Sequence, residues 1–269
     1  MRCTAFVLPL LAGVGGPAAP PARETLRLAA TTSTRDAGLL DVLLPAFEAR
    51  TGIPVKATAM GSGEALTLAR RGGADVLLVH SRAAEDAFLA EGEGLLRLAV
   101  MHNDFVLVGP AADPARVRGA NPVLAFRRIA EARAPFVSRG DQSGTWQKEQ
   151  DLWKHAGLEP AGQAWYFATG RGMGETARVA AEKQAYTLID RATCLATSAK
   201  TGLPILCEGA GELRNAYDVI VVNPEKHSGV RGADARRFAE WLVGPEAQKL
   251  IGEFGVQEFG RSLFIPDAT

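Results

Sequence analysis

The residues best suited to chemistry in this 269-residue chain are hydroxyl side chains that follow a short apolar strand. Thr31, Thr32 and Ser33 come directly after the apolar segment 26–30 and before a segment of helical periodicity. Backbone N–H groups at a helix start lack intrahelical partners and carry the positive end of the helix dipole, and hydroxyl groups add donors without charge. The pattern therefore favours anion binding, but the same residues also cap ordinary helices.

A second segment combines a cation with hydroxyl groups. Arg139 follows the predicted strand 135–138, and Ser143, Gly144 and Thr145 then open a predicted helix. A guanidinium presents a planar set of donors that suits an oxyanion, and a glycine lets the backbone approach it closely. We interpret this segment as a second half of the same binding site.

Two further junctions between a strand and a helix are rich in glycine. They are residues 61–63, with Ser62 at the centre, and residues 170–174, which include Gly172 and Met173. Neither contains the Gly-Lys-Ser/Thr of a phosphate-binding P-loop or the glycine spacing of a dinucleotide site. We expect donors from Ser62 and from the backbone of the second turn, where Met173 either packs or lines the pocket through its backbone.

The elements that position these junctions alternate between strand and helix along the chain, which predicts an α/β protein with mainly parallel sheets. In such sheets the ligand crevice lies beyond the carboxyl ends of the strands, where the following helices begin. By contrast, Ser81 reads as an ordinary helix cap. Predicted strands cover 26–30, 55–60, 75–80, 105–108, 135–138, 165–169 and 185–189, and predicted helices cover 38–50, 63–71, 83–91, 125–133, 145–155, 175–183, 234–243 and 245–254.

Two segments cross between the halves of the chain without a flexible linker. Residues 100–108 lead from one α/β half to the other, and residues 215–221 lead back. This organisation predicts two lobes joined by strand-like hinges. We expect one lobe to comprise 23–103 and 220–269, and the other to comprise 104–219.

The charge balance excludes an electrostatic footprint for nucleic acid or an anionic membrane, because 30 basic residues match 30 acidic ones and the pI is about 6.9. Residues 1–22 contain Arg2, the apolar run 5–14 and a tail of small residues and prolines. These features predict a signal peptide and an exported, extracytoplasmic protein. No later apolar stretch is long enough to span a bilayer.

The remaining cysteines, Cys194 and Cys207, either form a disulfide or stay as two buried thiols, and their spacing leaves both possibilities open. The histidines lack the spacing of metal ligands, so neither a metal site nor a cofactor is predicted. They are His80, His102, His155 and His227.

Signatures of catalysis are missing from the sequence. It has no Gly-x-Ser-x-Gly elbow, no His-Glu-x-x-His motif and no histidine in the four junctions. Acidic residues near the junctions are better explained as helix caps that favour the dipole than as general acids or bases. They are Asp36, Asp141, Glu175 and Asp190. We therefore expect a binding protein and no enzyme.

Four segments together resemble the TupA-type tungstate-binding proteins, the substrate-binding components of bacterial ABC importers. They are 29–40, 138–145, 172–176 and 185–193, and the resemblance extends over nearly all of the chain after the leader. It implies a type II periplasmic-binding-protein fold, in which two α/β lobes joined by two crossover strands enclose an oxyanion. It also implies an ABC transporter permease as partner.

The resemblance implies roles for individual residues. The family's hydroxyl motif falls on Thr31 to Ser33, its second-lobe donors on Arg139, Ser143 and Thr145, and its glycine turn on 172–174. With the junction residues, the expected ligand contacts are Thr31, Thr32, Ser33, Ser62, Arg139, Ser143, Gly144, Thr145, Gly172 and Met173.

The chain departs from the family pattern at several positions around these contacts. Ala30 replaces a threonine and removes one donor, while Gln142 and Arg171 make the rim of the cleft less acidic. Ala37 and Trp146 replace the usual serine and a frequent histidine. These departures bear on the selectivity between tungstate and molybdate.

Ligand chemistry separates the remaining possibilities. Tungstate and molybdate are fully deprotonated dianions at neutral pH and need only donors, whereas monohydrogen phosphate keeps a proton and is best selected by an acceptor. Asp141 either provides that acceptor or holds Arg139 by a salt bridge, the role we favour. A phosphate- or sulfate-binding protein of the same fold is therefore the main alternative.

Two other classes fit the sequence less well. The effector domain of a transcriptional regulator requires a basic helix-turn-helix region, and the leader before Thr25 is too short and apolar for one. A hydrolase or transferase requires a placed nucleophile or base. We expect a monomer that binds tungstate or molybdate.

Overall fold

The computed structural model describes residues 24–141, 143–209 and 211–268. The predicted signal peptide, residues 1–22, and Gln142 lie outside the described residues. Strands and helices alternate, as the sequence predicts. The strands are β1 Leu26–Thr31, β2 Val55–Met60, β3 Val76–Val79, β4 Gly94–Val108, β5 Phe136–Ser138, β6 Tyr166–Ala168, β7 Thr187–Asp190, β8 Ile205–Cys207, β9 Arg214–Val222 and β10 Ile265–Pro266.

The helices lie close to their predicted positions. They are α1 Thr32–Asp36, α2 Leu39–Thr51, α3 Ser62–Arg70, α4 Arg82–Ala90, α5 Pro122–Glu131, α6 Gly144–His155, α7 Met173–Glu182, α8 Arg191–Thr201, α9 Gly232–Leu242, α10 Pro245–Glu253 and α11 Val256–Phe259. Helices α8 and α11 were missing from the sequence prediction. Helix α11 is only four residues long, and the buried positions of α8 include small and polar residues that give a weak apolar stripe.

The sheet of the first lobe has the strand order β10-β4-β9-β3-β1-β2. Strand β1 runs parallel to β2 and β3, while β9 runs antiparallel to β3 and β4. The prediction of mainly parallel sheets therefore holds for β1 to β3 and fails where the crossover strands pair.

Strand β4 continues into the second lobe. Its last part, from Phe105 to Val108, pairs with β7 and β8, while β5 and β6 form a parallel pair. An isolated bridge between Phe136 and Tyr186 ties this pair to the strand region before β7. One strand thus serves both lobes, and β9 returns the chain to the first sheet.

The hydroxyl cluster belongs to a separate short helix, which corrects the prediction that it opens the long amphipathic one. Helix α1 covers Thr32–Asp36, and Gly38 then adopts a left-handed conformation with φ of +86° before α2 begins. Helix α2 packs its apolar side on the first sheet as predicted, and its Phe47 ring also lies edge-on to Phe238 of helix α9, at 4.9 Å. The turn at Gly38 separates the hydroxyl cluster from α2.

Both cysteines of the described part are free and buried, Cys194 on α8 and Cys207 on β8. Burial raises the pKa of the Cys194 thiol to about 12 and that of Cys207 to about 11. The possibility of two buried thiols is therefore the one observed. In the described part of the chain, no helix combines the length and apolar character needed to cross a membrane.

Candidate functional site

The first lobe contributes hydroxyl groups at the carboxyl end of β1. Thr31, Ser33 and Thr34 are buried, and the Thr31 and Ser33 hydroxyl oxygens lie 3.0 Å apart. The Thr34 hydroxyl donates to the Thr31 carbonyl at 2.8 Å. Thr32 reaches the other lobe, because the Arg139 Nη2 group lies 3.5 Å from its hydroxyl oxygen. The cluster predicted from the sequence is therefore assembled at the boundary between the lobes.

The second lobe contributes a buried guanidinium. Arg139 is 3 % exposed, and its Nη2 group donates to Asp141 Oδ2 at 2.5 Å. Asp141 Oδ1 accepts the Ser143 N–H at 3.2 Å, so both carboxylate oxygens are in use. The predicted salt bridge is confirmed. Because the charge of Arg139 is balanced locally, the site offers donors with little net charge.

Several donors of the second lobe are buried and have no hydrogen-bond partner within the described residues. Arg139 Nε and Thr145 Oγ1 are the ones that belong to the expected ligand contacts. The others are Ser138 Oγ, Thr187 Oγ1 and Thr193 Oγ1. Ser143 caps helix α6, and its Oγ accepts the Trp146 N–H at 3.2 Å. Since a buried polar group without a partner costs free energy, Arg139 Nε and Thr145 Oγ1 mark a place for a ligand.

Ser62 lies on the first lobe, facing the start of helix α6. It is fully buried at the first position of α3, and its Oγ accepts the His80 N–H at 3.3 Å. Because that contact uses a lone pair, the Ser62 hydroxyl proton remains available for donation. A Cβ atom on the neighbouring Gly61 would lie 3.5 Å from Ser143 Cα, so the two junctions meet across the lobes.

Gly144 has a different neighbour from the predicted one. A Cβ atom at this position would lie 2.7 Å from the carbonyl oxygen of His80 and from its ring. From the sequence, this glycine was expected to let the backbone approach an anion closely. The structure shows that the close approach is between the lobes, because His80 follows β3 and Gly144 begins α6.

The third junction opens helix α7, where Gly172 is the N-cap and a Cβ atom on it would meet no other atom within 4 Å. The Met173 side chain is fully buried in the core of the second lobe, so it packs there. Helix α7 and helix α8 both lie against α1 of the first lobe. Arg171 pairs with Glu175 on the surface at 2.6 Å.

The sequence did not reveal a network of buried polar side chains that links both crossover strands. Ser33 Oγ lies 3.0 Å from the Tyr217 hydroxyl, which accepts from Asn215 Nδ2 at 3.0 Å. Asn215 Nδ2 also donates to Asn103 Oδ1 at 2.8 Å, and Asn103 Nδ2 lies 3.5 Å from Asp190 Oδ1. Polar residues inside otherwise apolar crossover strands were the available signal for it.

Two titratable side chains near the cleft, His80 and Asp190, are buried and are not placed to act as general bases. Burial, followed by the nearby Arg139, lowers the pKa of His80 to about 3, which keeps its imidazole neutral. Asp190 caps helix α8 and accepts the Thr193 N–H at 2.9 Å, and burial raises its pKa. No group of three or more His, Cys, Asp or Glu side chains in the described ranges is placed to hold a metal ion.

Helix α6 carries a buried carboxyl group behind the site. Glu149 Oε1 accepts from the Tyr166 hydroxyl at 2.7 Å and from Trp153 Nε1 at 3.1 Å. Burial outweighs these hydrogen bonds and raises the Glu149 pKa to about 7 from its ordinary value of 4.5. The folded protein therefore binds this proton more tightly than the unfolded chain does.

We expect this carboxyl group to make stability depend on pH. Because its folded pKa is raised, its contribution to the free energy of unfolding is full below pH 4.5 and is lost as the pH rises through about 7. The loss is on the order of 3 kcal/mol. Urea unfolding at pH 4.5 and pH 8 measures the free energy of unfolding of the wild-type protein and of Glu149→Gln, in which the other titrating groups are unchanged. The wild-type protein should lose more stability between the two pH values than the variant does. An equal pH dependence in both proteins would contradict the assignment.

The fold and the cleft define a class of protein. Residues 15–246 match the profile described as the PBP superfamily domain. The chain belongs to this superfamily of periplasmic-binding-type proteins, with two α/β lobes joined by two crossover strands.

Within that class the chain belongs to the TupA family of tungstate-binding proteins. It is 48 % identical over 251 residues to the tungstate-binding protein TupA of Peptoclostridium acidaminophilum, covering 92 % of this chain and 87 % of the relative. The solved TupA structure from Desulfovibrio alaskensis is 45 % identical, with a TM-score of 0.76 over 91 % of this chain and 99 % of that one. The tungstate ABC transporter structure from Geobacter sulfurreducens is also 45 % identical, with a TM-score of 0.79 over 86 % and 99 %.

Proposed function

We propose that this chain captures tungstate, or molybdate, between its lobes and delivers it to an ABC transporter permease. One observation carries the proposal: Arg139 Nε and Thr145 Oγ1 are buried without partners in the part of the chain that the structure describes, and the Arg139 guanidinium faces the Thr32 hydroxyl of the opposite lobe. The printed names of the relatives support the same ligand.

The proposed ligand shell draws donors from both lobes. From the first lobe come the hydroxyl groups of Thr31, Thr32, Ser33 and Ser62. From the second come the Arg139 guanidinium and the helix-start donors Ser143, Gly144, Thr145, Gly172 and Met173, the last through its backbone. Because the anion needs donors from both sides, it binds the closed arrangement better than the open one and shifts the population toward closure.

The donor set favours fully deprotonated anions over phosphate. Asp141 was the candidate acceptor for the proton of monohydrogen phosphate. Its Oδ2 already accepts from Arg139 at 2.5 Å and its Oδ1 from the Ser143 N–H at 3.2 Å. A ligand without a proton is therefore the better match to this half of the site.

The cellular setting follows from the same assignment. We propose a non-enzymatic, exported, extracytoplasmic monomer whose residues 1–22 act as a signal peptide. We also propose lobe boundaries that give 23–103 and 220–269 to one lobe and 104–219 to the other. The neutral His80 and the helix-capping Asp190 support the absence of catalysis, since neither is poised as a base.

A thermal-shift panel with four anions tests the proposed ligand. We expect tungstate and molybdate to raise the melting temperature by about 5–10 °C at a hundredfold excess over Kd, because they bind only the folded protein. Sulfate and phosphate at millimolar concentration should leave it unchanged. A comparable shift with phosphate or sulfate would instead favour the alternative anion-binding protein of the same fold.

A further inference from the structure

Ser81 does not act as the helix cap that its position predicts. It is the N-cap residue of α4, but its side chain makes no capping hydrogen bond. Its backbone N–H donates to Glu85 Oε1 at 2.6 Å, and its hydroxyl donates to the side-chain oxygen of Gln147. Gln147 lies on helix α6, so the hydroxyl joins the first lobe to the second.

The same contact continues on either side of Ser81. The His80 ring and carbonyl pack against Gly144, the first residue of α6, and the His80 N–H holds Ser62 Oγ at 3.3 Å. Residues 80 and 81 therefore touch both Ser62 and the first turns of α6, which carry Thr145. Ser81 is 4 % exposed and Gln147 is half-buried, so their hydrogen bond lies at the edge of the contact between the lobes.

We propose that Ser81 and Gln147 are positioning residues for the anion site, whose hydrogen bond forms on lobe closure and holds the start of α6 against Ser62. This inference rests on the proposed function for the identity of the ligand. Because the pair lies outside the proposed ligand shell, it stabilises the closed complex without contacting the anion. It therefore slows release and leaves the encounter between anion and open protein unchanged.

The pair is tested with a double-mutant cycle on the full chain. Stopped-flow tryptophan fluorescence measures tungstate association and dissociation rates for wild type, Ser81→Ala, Gln147→Ala and the double variant. We expect each single variant to dissociate about two- to tenfold faster, with an unchanged association rate. The double variant should be no faster than the single ones, since one shared hydrogen bond is lost only once.

Controls separate this role from general effects on the fold. Ser198→Ala and Gln257→Ala remove the same side chains from exposed helical positions and should leave both rates unchanged. Unchanged dissociation rates in the single variants, or effects that multiply in the double variant, would overturn the inference.

A wild-type protein that does not bind tungstate would contradict the proposed function instead. The pair is then tested without ligand in Ser81→Cys/Gln147→Cys, whose two thiols a short bis-maleimide cross-linker can join when the lobes close. Cross-linking accompanied by a smaller radius of gyration supports the contact between lobes, and failure to cross-link overturns it.

Discussion

Replacement of Arg139 by alanine is expected to weaken tungstate binding by about thirty- to several-thousand-fold. This range corresponds to about 2–5 kcal/mol, the cost of truncating one partner of a buried, hydrogen-bonded charge pair. The guanidinium is 3 % exposed, and its Nε has no hydrogen-bond partner among the described residues. The variant also leaves Asp141 without its cation, so a negative charge faces the incoming dianion. Isothermal titration calorimetry measures the loss.

The matched control is Arg178→Ala in the same lobe. Arg178 is 54 % exposed and pairs with Glu175 and Glu182 on the outer surface of α7, so its removal should leave the affinity within a factor of about two. Circular dichroism checks that both variants are folded. Wild-type affinity in folded Arg139→Ala would remove this arginine from the ligand shell.

The second large effect is expected from a single added methyl group, in Gly144→Ala. The new Cβ atom would lie 2.7 Å from the carbonyl oxygen and ring of His80, a backbone and buried ring that cannot turn aside easily. We expect tungstate binding to weaken about five- to a hundredfold, which corresponds to an overpacking cost of about 1–3 kcal/mol. Each lobe should stay folded, because the clash disappears when the lobes separate. Calorimetric affinity and the melting temperature without ligand are measured together.

Gly211→Ala provides the control for this substitution. Gly211 begins a short helical turn of the second lobe, residues 211–213, and lies outside the proposed ligand shell. An added Cβ atom there would meet no described atom within 4 Å, so affinity should be retained. If Gly144→Ala binds as tightly as wild type, close contact between His80 and α6 is not needed for binding.

Local patterns were sufficient to predict most of the elements and the donors that they carry. Apolar runs that end in hydroxyl and glycine residues located the junctions at Thr31 and Ser62, because the carboxyl ends of neighbouring strands share one edge of the sheet. The pairing of Arg139 with Asp141 was predictable for the same reason, since the two residues are close in sequence and flank one tight turn.

Contacts between distant segments were not predictable in this way. Ser81 has the sequence context of a helix cap, and only the packing of α6 against the first lobe shows that its hydroxyl is used by Gln147. Likewise, Asn103 and Asn215 meet because the two crossover strands pair antiparallel, which no local pattern reveals. Single-sequence patterns report propensity and periodicity, whereas these contacts depend on how the lobes meet.

A calorimetric titration of the wild-type protein with tungstate, repeated in millimolar phosphate and sulfate, tests most directly whether donors from both lobes hold a fully deprotonated oxyanion. We expect one tungstate per chain and an affinity that phosphate leaves unchanged, because the carboxylate in the Arg139 to Thr145 turn, the candidate acceptor for a phosphate proton, is already engaged by its neighbours. Sulfate carries no proton, like tungstate, so its failure to compete would show that the site also selects by the size of the anion. Absence of tungstate binding, or its displacement by phosphate or sulfate, would contradict the assignment.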